Sequence, residues 1–141
     1  MAARRRIVIG DDNPAMLEAI THMLQSEFDV IAALEEARAV VDQVPKLKPD
    51  VVVLDISMEE INGFEIARQL RSGFCRSKII FLSVHEQLEF IRTAFDAGAS
   101  GYVYKSRMNV DLKTAIKAVL NDKVFIPGAP ISQYASNSKT S

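Results

Sequence analysis

The stretch that decides the fold is KPDVVVLDISMEEINGFE, residues 48–65. Three valines and a leucine, residues 51–54, lead directly into Asp55, and the sequence then turns polar. Such an apolar run is typical of a β-strand buried on both faces, as in the centre of a parallel sheet. A carboxylate at the end of this strand would stand on a rigid element, where groups from neighbouring strands can join it.

Strand-like and helix-like patterns alternate five times along the chain. The five β-rich runs are residues 6–10, 29–34, 51–55, 79–83 and 102–105. Apolar residues recur at helical spacing between and after them: Leu17, Ile20 and Leu24; Val40, Val41, Val44 and Leu47; Phe64, Ala67 and Leu70; Leu88, Ile91 and Phe95; Leu112, Ile116, Val119 and Leu120. Asn13-Pro14 favours the start of the first helix, and Gly98 favours the end of the fourth. This order predicts an α/β fold with a doubly wound parallel sheet covered by helices on both faces.

Polar and charged residues end four of the five predicted strands. They are Asp11 and Asp12 after the first strand, Asp55 in the third, Ser83 in the fourth and Lys105 in the fifth. Because the carboxyl ends of parallel strands meet at one edge of the sheet, we expect these groups to converge. The second strand ends without such a group, as expected for a strand at the margin of the sheet.

The expected cluster has the chemistry of phosphoryl transfer. Three carboxylates repel one another unless a cation joins them, and Mg²⁺ prefers oxygen ligands of this kind. A lysine and a hydroxyl suit a tetrahedral anion such as a phosphoryl group. Taken singly, Asp12 favours a helix cap or turn, Ser83 a cap and Lys105 a solvated charge. The joint pattern instead predicts that Asp55 is a nucleophile that forms an aspartyl-phosphate.

The sequence resembles the receiver (CheY-like) domain of two-component response regulators over residues 5–126. The matching segments are IVIGDDNPAM, VVVLDISMEEINGFE, IIFLSVHE and DAGASGYVYKS. The resemblance implies a flavodoxin-like (βα)5 sheet with strand order 2-1-3-4-5. It also implies a phosphorylation-activated signalling switch rather than an enzyme with an external substrate. A sensor histidine kinase would be the donor and Asp55 the acceptor.

The resemblance assigns a magnesium site next to the acceptor. Asp12, Asp55 and the main-chain carbonyl of Ser57 would hold Mg²⁺, with Asp11 acting through a water molecule. Residues two places beyond a site residue tune the lifetime of the phosphoryl group in this family. Ser57 and His85 occupy such positions, and His85 is otherwise expected to be a surface loop residue.

The resemblance also assigns the switch itself. Ser83 would hydrogen-bond the phosphoryl group, and Lys105 would pair with it. Tyr102 would be the aromatic residue that rotates inward and reshapes the face made by the fourth helix, fifth strand and fifth helix. Tyr104 is expected on the opposite face of the strand, in packing or at the surface.

Two positions depart from the family pattern. Glu59 follows Met58 where proline is usual, which changes the rigidity and charge of the loop after Asp55. Ser106 follows Lys105 where many relatives have a proline.

The end of the chain resembles regulators of the LuxR/NarL type. DLKTAIKAVLNDKVFIPG, residues 111–128, is similar to the last receiver helix and linker of those transcription factors. We expect residues 127–141 to be a linker or a disordered tail, and DNA contact to require a further C-terminal domain. A homodimer would use the face of the fourth helix, fifth strand and fifth helix, or the surface of the first and fifth helices.

Composition excludes several other classes. The net charge is −1, with 17 basic and 18 acidic residues, so this chain by itself is a poor DNA binder. One cysteine, Cys75, excludes an intramolecular disulfide and a multi-cysteine zinc site. The sequence has no apolar run long enough for a membrane span or a signal peptide, so we expect no membrane partner and a cytoplasmic location.

Three alternatives compete with the switch. A pseudo-receiver would act as a constitutive protein-interaction module, and Glu59 leaves room for it. A phosphatase of the haloacid dehalogenase type would need a second aspartate two residues after Asp55, where Ser57 stands. A nucleotide-binding flavodoxin-like domain is disfavoured because GDDNPAM is neither a P-loop nor a GxGxxG sequence.

Overall fold

The computed structural model describes residues 4–128 of the 141-residue chain. Its strands are β1 (Arg6–Gly10), β2 (Asp29–Leu34), β3 (Val51–Asp55), β4 (Lys78–Ser83) and β5 (Gly101–Tyr104). Its α-helices are α1 (Pro14–Leu24), α2 (Ala37–Leu47), α3 (Gly63–Ser72), α4 (Leu88–Asp96) and α5 (Met108–Leu120). A short 3-10 helix, Lys105–Arg107, leads into α5.

The five strands form one parallel sheet in the order β2-β1-β3-β4-β5. This order confirms the predicted flavodoxin-like fold, and β2 lies at the margin of the sheet as expected. All strand carboxyl ends therefore share one edge, which we call the carboxyl edge. The opposite edge, where the strands begin, is the amino edge.

Helices cover both faces of the sheet. Apolar side chains of α1 and α5 pack on one face, and those of α2, α3 and α4 pack on the other. Every residue of β3 is buried, with Val51 and Val53 facing the first layer and Val52 and Leu54 facing the second. The opening apolar run is thus a central strand because both of its faces lie in a core.

The predicted helix boundaries at Asn13 and Gly98 are confirmed. The Asn13 side chain accepts hydrogen bonds from the backbone N–H groups of Ala15 and Met16, which caps α1. Gly98 follows the end of α4 with φ +106°, a conformation that glycine adopts without steric cost.

Four local predictions are corrected by the structure. Strand β4 begins at Lys78, one residue earlier than predicted, because Lys78 pairs with Val51. Strand β5 spans Gly101–Tyr104 and is shifted by one residue at both ends. Gly101 pairs with Ile80, and the chain turns into the 3-10 helix at Lys105. Tyr104 lies on the same face as Tyr102, since residues two apart in a strand share a face. Leu88, predicted in the buried stripe of α4, is 59% exposed because it is the first residue of the helix.

The helix lengths and the ends of the described chain bear on two further predictions. Among residues 4–128, no helix is long and apolar enough to cross a membrane. The predicted linker or tail over 127–141 lies, from residue 129 onward, outside the described residues, and the proposed limits of the receiver unit at 5 and 126 remain a prediction.

Candidate functional site

Three carboxylates converge at the carboxyl edge of the sheet. Asp11 and Asp12 follow β1, and Asp55 is the last residue of β3. Each offers a carboxylate oxygen, and these oxygens lie within 4.8 Å of one another. Asp11 is 1% exposed and Asp55 6% exposed, whereas Asp12 is half-buried. The predicted meeting of these side chains is therefore present in the fold.

Lys105 supplies a positive charge to this cluster. Its Nζ lies 3.2 Å from Asp11 Oδ2 and 3.6 Å from Asp55 Oδ1, and its side chain is 17% exposed. The ammonium group therefore bridges two buried carboxylates that belong to different strands. It is a partly buried counter-ion and not a solvated surface charge.

The electrostatics of the cluster leave Asp55 short of countercharge. Burial raises the pKa of Asp55, and the negative charges of Asp11 and Asp12 raise it further. Lys105 and the backbone N–H of Ser57, which donates to Asp55 Oδ1 at 3.3 Å, lower the pKa without offsetting the other effects. One ammonium group against three carboxylates leaves a place for a further cation. The oxygen-only donor set fits Mg²⁺.

Ser83 ends β4 with its side chain fully buried. Its hydroxyl oxygen accepts a hydrogen bond of 3.0 Å from the backbone N–H of His85. Tyr102, on the neighbouring strand, is also fully buried, and its hydroxyl donates to the carbonyl of His85 at 2.7 Å. Burial also raises the pKa of the Tyr102 phenol. Two side chains predicted to form the switch therefore hold the same residue of the β4–α4 loop.

The second tyrosine of β5 belongs to the same contact. The Tyr104 ring meets the Tyr102 ring edge-on with centroids 6.1 Å apart, and its hydroxyl donates to the carbonyl of Glu86 at 3.4 Å. Both tyrosines therefore tie β5 to the β4–α4 loop.

The loop between β3 and α3 is held in place without a proline at position 59. Met58 is 7% exposed and packs in the core, while Glu59 is exposed. Glu60 adopts the left-handed conformation at φ +63°, and its carboxylate accepts from Arg38 Nε at 3.0 Å. Met58 thus anchors a loop whose acidic residues face solvent.

Sequence reasoning did not single out Gly63, although the site depends on it. A Cβ atom at this position would lie 2.5 Å from the carbonyl oxygen of Asp55 and 2.8 Å from Ile56 Cα. Only glycine lets the start of α3 approach the end of β3 this closely. The Asn62-Gly63 pair ahead of an apolar helix pattern was the available signal, but it indicates a turn and not a close approach.

The residues predicted to tune the phosphoryl lifetime lie in the loops that follow β3 and β4. Ser57 has an exposed side chain. His85 is half-buried, and its ring stacks on Phe90 with centroids 4.2 Å apart and planes 4° apart. Among the described residues the metal-type cluster contains Asp11, Asp12 and Asp55 and not His85. Their effect on lifetime remains a prediction.

Comparison with known proteins identifies the family. The family described as "Response regulator receiver domain" matches residues 7–117. The transcriptional regulatory protein DegU of Brevibacillus brevis is 33% identical over 123 residues, covering 86% of this chain and 52% of DegU. The DNA-binding transcriptional activator EvgA of Escherichia coli K12 is 31% identical over 121 residues, covering 85% of this chain and 59% of EvgA. The chain thus spans somewhat more than half the length of these relatives.

Solved structures agree with the sequence relatives. A LuxR-family two-component response regulator from Aurantimonas sp. SI85-9A1 superposes with a TM-score of 0.85 at 28% identity, covering 99% of this chain and all of that one. The receiver domain of RcsB from Salmonella enterica serovar Typhimurium, solved with the phosphomimetic BeF3−, gives 0.81 at 25% identity, with 94% and 99% covered. The chain belongs to the receiver domain family of two-component response regulators and is most like its LuxR/NarL-type members.

Proposed function

We propose that the chain is a phosphorylation-activated switch in which Asp55 accepts a phosphoryl group from a sensor histidine kinase. The observation that carries this proposal is the convergence of Asp11, Asp12 and Asp55 around the Lys105 ammonium group. Receiver domains are regulatory domains as a family. In this chain, the buried acidic cluster is the site that suits phosphoryl transfer to an aspartate.

The acceptor is oriented by its neighbours. Both the Ser57 N–H and the Lys105 ammonium group approach Oδ1 of Asp55, which leaves the other oxygen for attack on phosphorus. In the transfer, a P–O bond forms to Asp55 as the P–N bond to the donor histidine breaks, and the imidazole leaves with its electron pair. Because Asp55 ends a buried strand, it enters this reaction with little freedom to reorient.

Mg²⁺ would be held by Asp12, Asp55 and the main-chain carbonyl of Ser57, with Asp11 acting through a water molecule. When bound, it would neutralise charge on the phosphoryl oxygens as they approach the acidic cluster. The oxygen donor set and the shortage of countercharge around Asp55 both support this assignment.

Ser83 and Lys105 would bind the transferred group. The new anion on Asp55 competes with Asp11 for the Lys105 ammonium group, which already stands 3.6 Å from Asp55. The Ser83 hydroxyl can donate to a phosphoryl oxygen while it still accepts from the His85 N–H. Both residues then bear on the phosphoryl group from neighbouring strand ends.

The output would pass through the β4–α4 loop. Ser83 and Tyr102 both hydrogen-bond the backbone of His85. If Ser83 moves toward the phosphoryl group, the backbone of His85 moves with it, and the Tyr102 hydroxyl must move to keep its hydrogen bond. The face of α4, β5 and α5 would change with them and control a DNA-binding output domain or another partner.

The proposal is tested by incubating the protein with Mg²⁺ and acetyl phosphate and reading the intact mass. Wild type should gain one phosphoryl group and the Asp55→Asn variant none. In a separate titration, beryllium fluoride, a mimic of the phosphoryl group, should change the chemical shifts of Ser83, Tyr102 and Lys105. Uptake by Asp55→Asn at the wild-type rate would show that Asp55 is not the acceptor.

Lys105→Ala distinguishes the role of Lys105 in transmitting phosphorylation to the α4-β5-α5 face from a role in metal binding. This variant should still bind Mg²⁺, while phosphorylation no longer changes the amide shifts of the α4-β5-α5 face. Ser83→Ala should weaken the same response. A full conformational response in Lys105→Ala would remove that residue from the switch.

The two lifetime positions have a matched test. Ser57→Ala and His85→Ala should change the decay rate of the phosphoryl group after the donor is removed, without changing the site of uptake. Arg92→Ala, an exposed substitution on α4, is the control. Identical decay in all three variants and wild type would exclude lifetime control by Ser57 and His85.

One observation favours the alternative of a pseudo-receiver. Tyr102 is fully buried, with its hydroxyl bound to the His85 carbonyl, so the aromatic ring occupies the predicted inward position. A constitutive interaction module would keep this arrangement permanently. No mass gain and no shifts at saturating Mg²⁺ would select it, and Glu59→Pro would then be the first variant to make.

A homodimer is the other expected partner, through the α4-β5-α5 face or the α1-α5 surface. On the α1-α5 surface, Glu27, in the turn between α1 and β2, pairs with Lys113 and Lys117 of α5 at 3.0 Å each. These charges already have partners within the chain. Light scattering with and without beryllium fluoride tests the dimer, and a constant monomer mass under both conditions would contradict it.

A further inference from the structure

We propose that the amino edge of the sheet carries a second binding site, for a small aromatic anion of the nucleoside phosphate class. A cleft of about 730 Å³ opens there, between the beginnings of β1, β3 and β4 and the ends of α2, α3 and α5. Its volume falls within the range of small-molecule sites. It lies at the opposite end of the strands from Asp55, roughly 15 Å away along a five-residue strand.

The cleft is positively charged, although the whole chain has a net charge of −1. Four basic side chains and two acidic ones line it, a formal excess of two positive charges. Asp50 pairs with Arg5 at 3.6 Å, and Asp122 pairs with Lys78 at 2.9 Å. The excess therefore belongs to Lys48 and Arg76, whose side chains form no ion pair within residues 4–128.

Helix ends do not cancel this charge. The carboxyl ends of α2 and α3 point toward the amino edge, and their carbonyl groups would disfavour an anion. Arg6 donates to the carbonyls of Leu47 and Lys48 at the end of α2, and the backbone N–H groups of Phe74 and Cys75 donate to carbonyls in the last turn of α3. Arg6 does not line the cleft, so these helix-end carbonyls have donors other than the side chains of Lys48 and Arg76.

An aromatic ring stands at the mouth of the cleft. Phe74 is 91% exposed, the highest value among the exposed large apolar side chains of the described chain. Its φ is +61°, a left-handed conformation that a phenylalanine rarely adopts, while the preceding Gly73 has φ −87°. The glycine therefore does not take the left-handed position, and a large aromatic residue is presented to solvent there.

The ring is presented by a fixed backbone. The N–H of Phe74 donates to the carbonyl of Arg71, and the N–H of Cys75 donates to the carbonyl of Leu70, both at 3.0 Å. The Ser77 hydroxyl, in the wall of the cleft, donates to the carbonyl of Pro49 at 2.6 Å. A preorganised aromatic surface next to two unpaired cations suits a ligand that combines a flat ring with phosphate.

The experiment compares three probes that separate ring from charge: ADP, adenosine and pyrophosphate. Each is titrated into the full chain in EDTA, with two-dimensional amide spectra and the alkylation rate of Cys75 as readouts. Cys75, the chain's one cysteine, lines the cleft and is half-buried. ADP should shift the amides of Lys48, Phe74 and Arg76 and slow alkylation, with at least tenfold higher affinity than either fragment.

Variants assign the binding to named groups. Phe74→Gly removes the ring at a position where glycine is favoured, and Arg76→Gln removes one unpaired charge. Each should weaken ADP binding about tenfold. Arg92→Gln removes an exposed charge from α4, and Asp55→Asn alters the carboxyl edge, so both should bind ADP like wild type.

Three results would overturn the proposal. One is the absence of shifts at the amino edge up to millimolar ADP. Another is binding of pyrophosphate as tight as that of ADP and unchanged in Phe74→Gly, which indicates a charge-only site. The third is loss of the ADP shifts in Asp55→Asn, which places binding at the carboxyl edge. None of these outcomes depends on phosphoryl uptake by Asp55.

Discussion

The two edges of the sheet carry charge in opposite ways. At the carboxyl edge, three carboxylates share one ammonium group, and Asp11, Asp55 and Lys105 are largely removed from water. At the amino edge, every side chain in the ion pairs of Asp50 and Asp122 is at least 34% exposed, and the excess charge is positive. The same parallel sheet therefore holds a buried acidic cluster at one end and a solvated basic cleft at the other.

Burial is what makes the difference between these edges. An exposed pair is screened by water and contributes little to stability, even when its atoms are close. A buried group cannot exchange its partner for water, so each charge affects the pKa and stability of its neighbours. The carboxyl edge is expected to respond strongly to substitution and the amino edge weakly. Three pairs of variants, with one member at each edge, test this contrast, and a fourth pair compares two substitutions of Phe74.

The largest effect is expected from an added methyl group at Gly63. Gly63→Ala should lower the free energy of unfolding by about 3 kcal/mol, because its Cβ would collide with the backbone of Asp55 and Ile56. Gly73→Ala is the matched control near the amino edge, since its Cβ would meet nothing closer than 3.6 Å. It should change stability by less than about 0.5 kcal/mol. Urea unfolding followed by circular dichroism measures both, and equal losses would break the contrast.

Removal of the buried counter-ion is expected to have the next largest effect. In EDTA, Lys105→Ala should lose about 2 kcal/mol because it leaves Asp11 and Asp55 without their partner. Lys78→Ala breaks a shorter pair, 2.9 Å to Asp122, but should lose less than about 0.5 kcal/mol because Asp122 is 84% exposed. If the two losses are similar, burial does not separate the edges. Added Mg²⁺ should restore stability in Lys105→Ala and leave Lys78→Ala unchanged.

A smaller effect of opposite sign is expected at Asp55. Because the pKa of Asp55 is raised in the folded state, the contribution of Asp55 to the stability of wild type in EDTA falls as pH rises through the unfolded value of 3.8 toward the folded one. Asp55→Asn escapes this loss, so above that window it should be more stable than wild type by on the order of 1 kcal/mol. Below the window the difference should vanish.

Asp50→Asn is the comparison for this pH effect at the amino edge. Asp50 accepts from the backbone N–H of Arg6 at 2.8 Å and pairs with Arg5, so its replacement should not stabilise the protein. Urea unfolding of both variants between pH 3 and pH 8 provides the test. A pH-independent gain in Asp55→Asn would mean that the charge of Asp55 is not its cause.

The smallest effect is expected at Phe74. Phe74→Gly should raise the free energy of unfolding by about 0.5–1 kcal/mol, because glycine occupies the left-handed region without the steric cost that a Cβ brings. Phe74→Ala keeps that cost and should not gain. Thermal unfolding distinguishes the two, and a loss of stability in Phe74→Gly would show that the exposed ring contributes to packing.

Much of the carboxyl edge was predictable because it follows from strand order. Asp11, Asp12, Asp55, Ser83 and Lys105 were identified as strand-end residues, and parallel strands with alternating helices bring such residues to one edge. The prediction that Tyr104 lies on the opposite face from Tyr102 was wrong, because side chains two residues apart in a strand share a face. The role of Gly63 was missed because a close backbone approach leaves no periodic signal.

The amino edge was not predictable from the same reasoning. The side chains of its cleft come from positions 5, 44–50, 73–78 and 120–122, which share no motif or spacing. The conformation of Phe74 was also unexpected, because Gly73 beside it is the residue that normally takes a left-handed position. Such a site arises only when loops from distant parts of the chain meet.

The sequence by itself determined the order of the elements, the parallel sheet and the edge at which the acidic residues meet. These follow from apolar periodicity and from the residues that end each strand, which are encoded locally. Only the tertiary structure decided that Lys105 contacts Asp11, 94 positions away, more closely than Asp55, and that the Tyr102 hydroxyl donates to the His85 carbonyl. Distances of this kind depend on how the helices pack and the strands align, and no local pattern contains them.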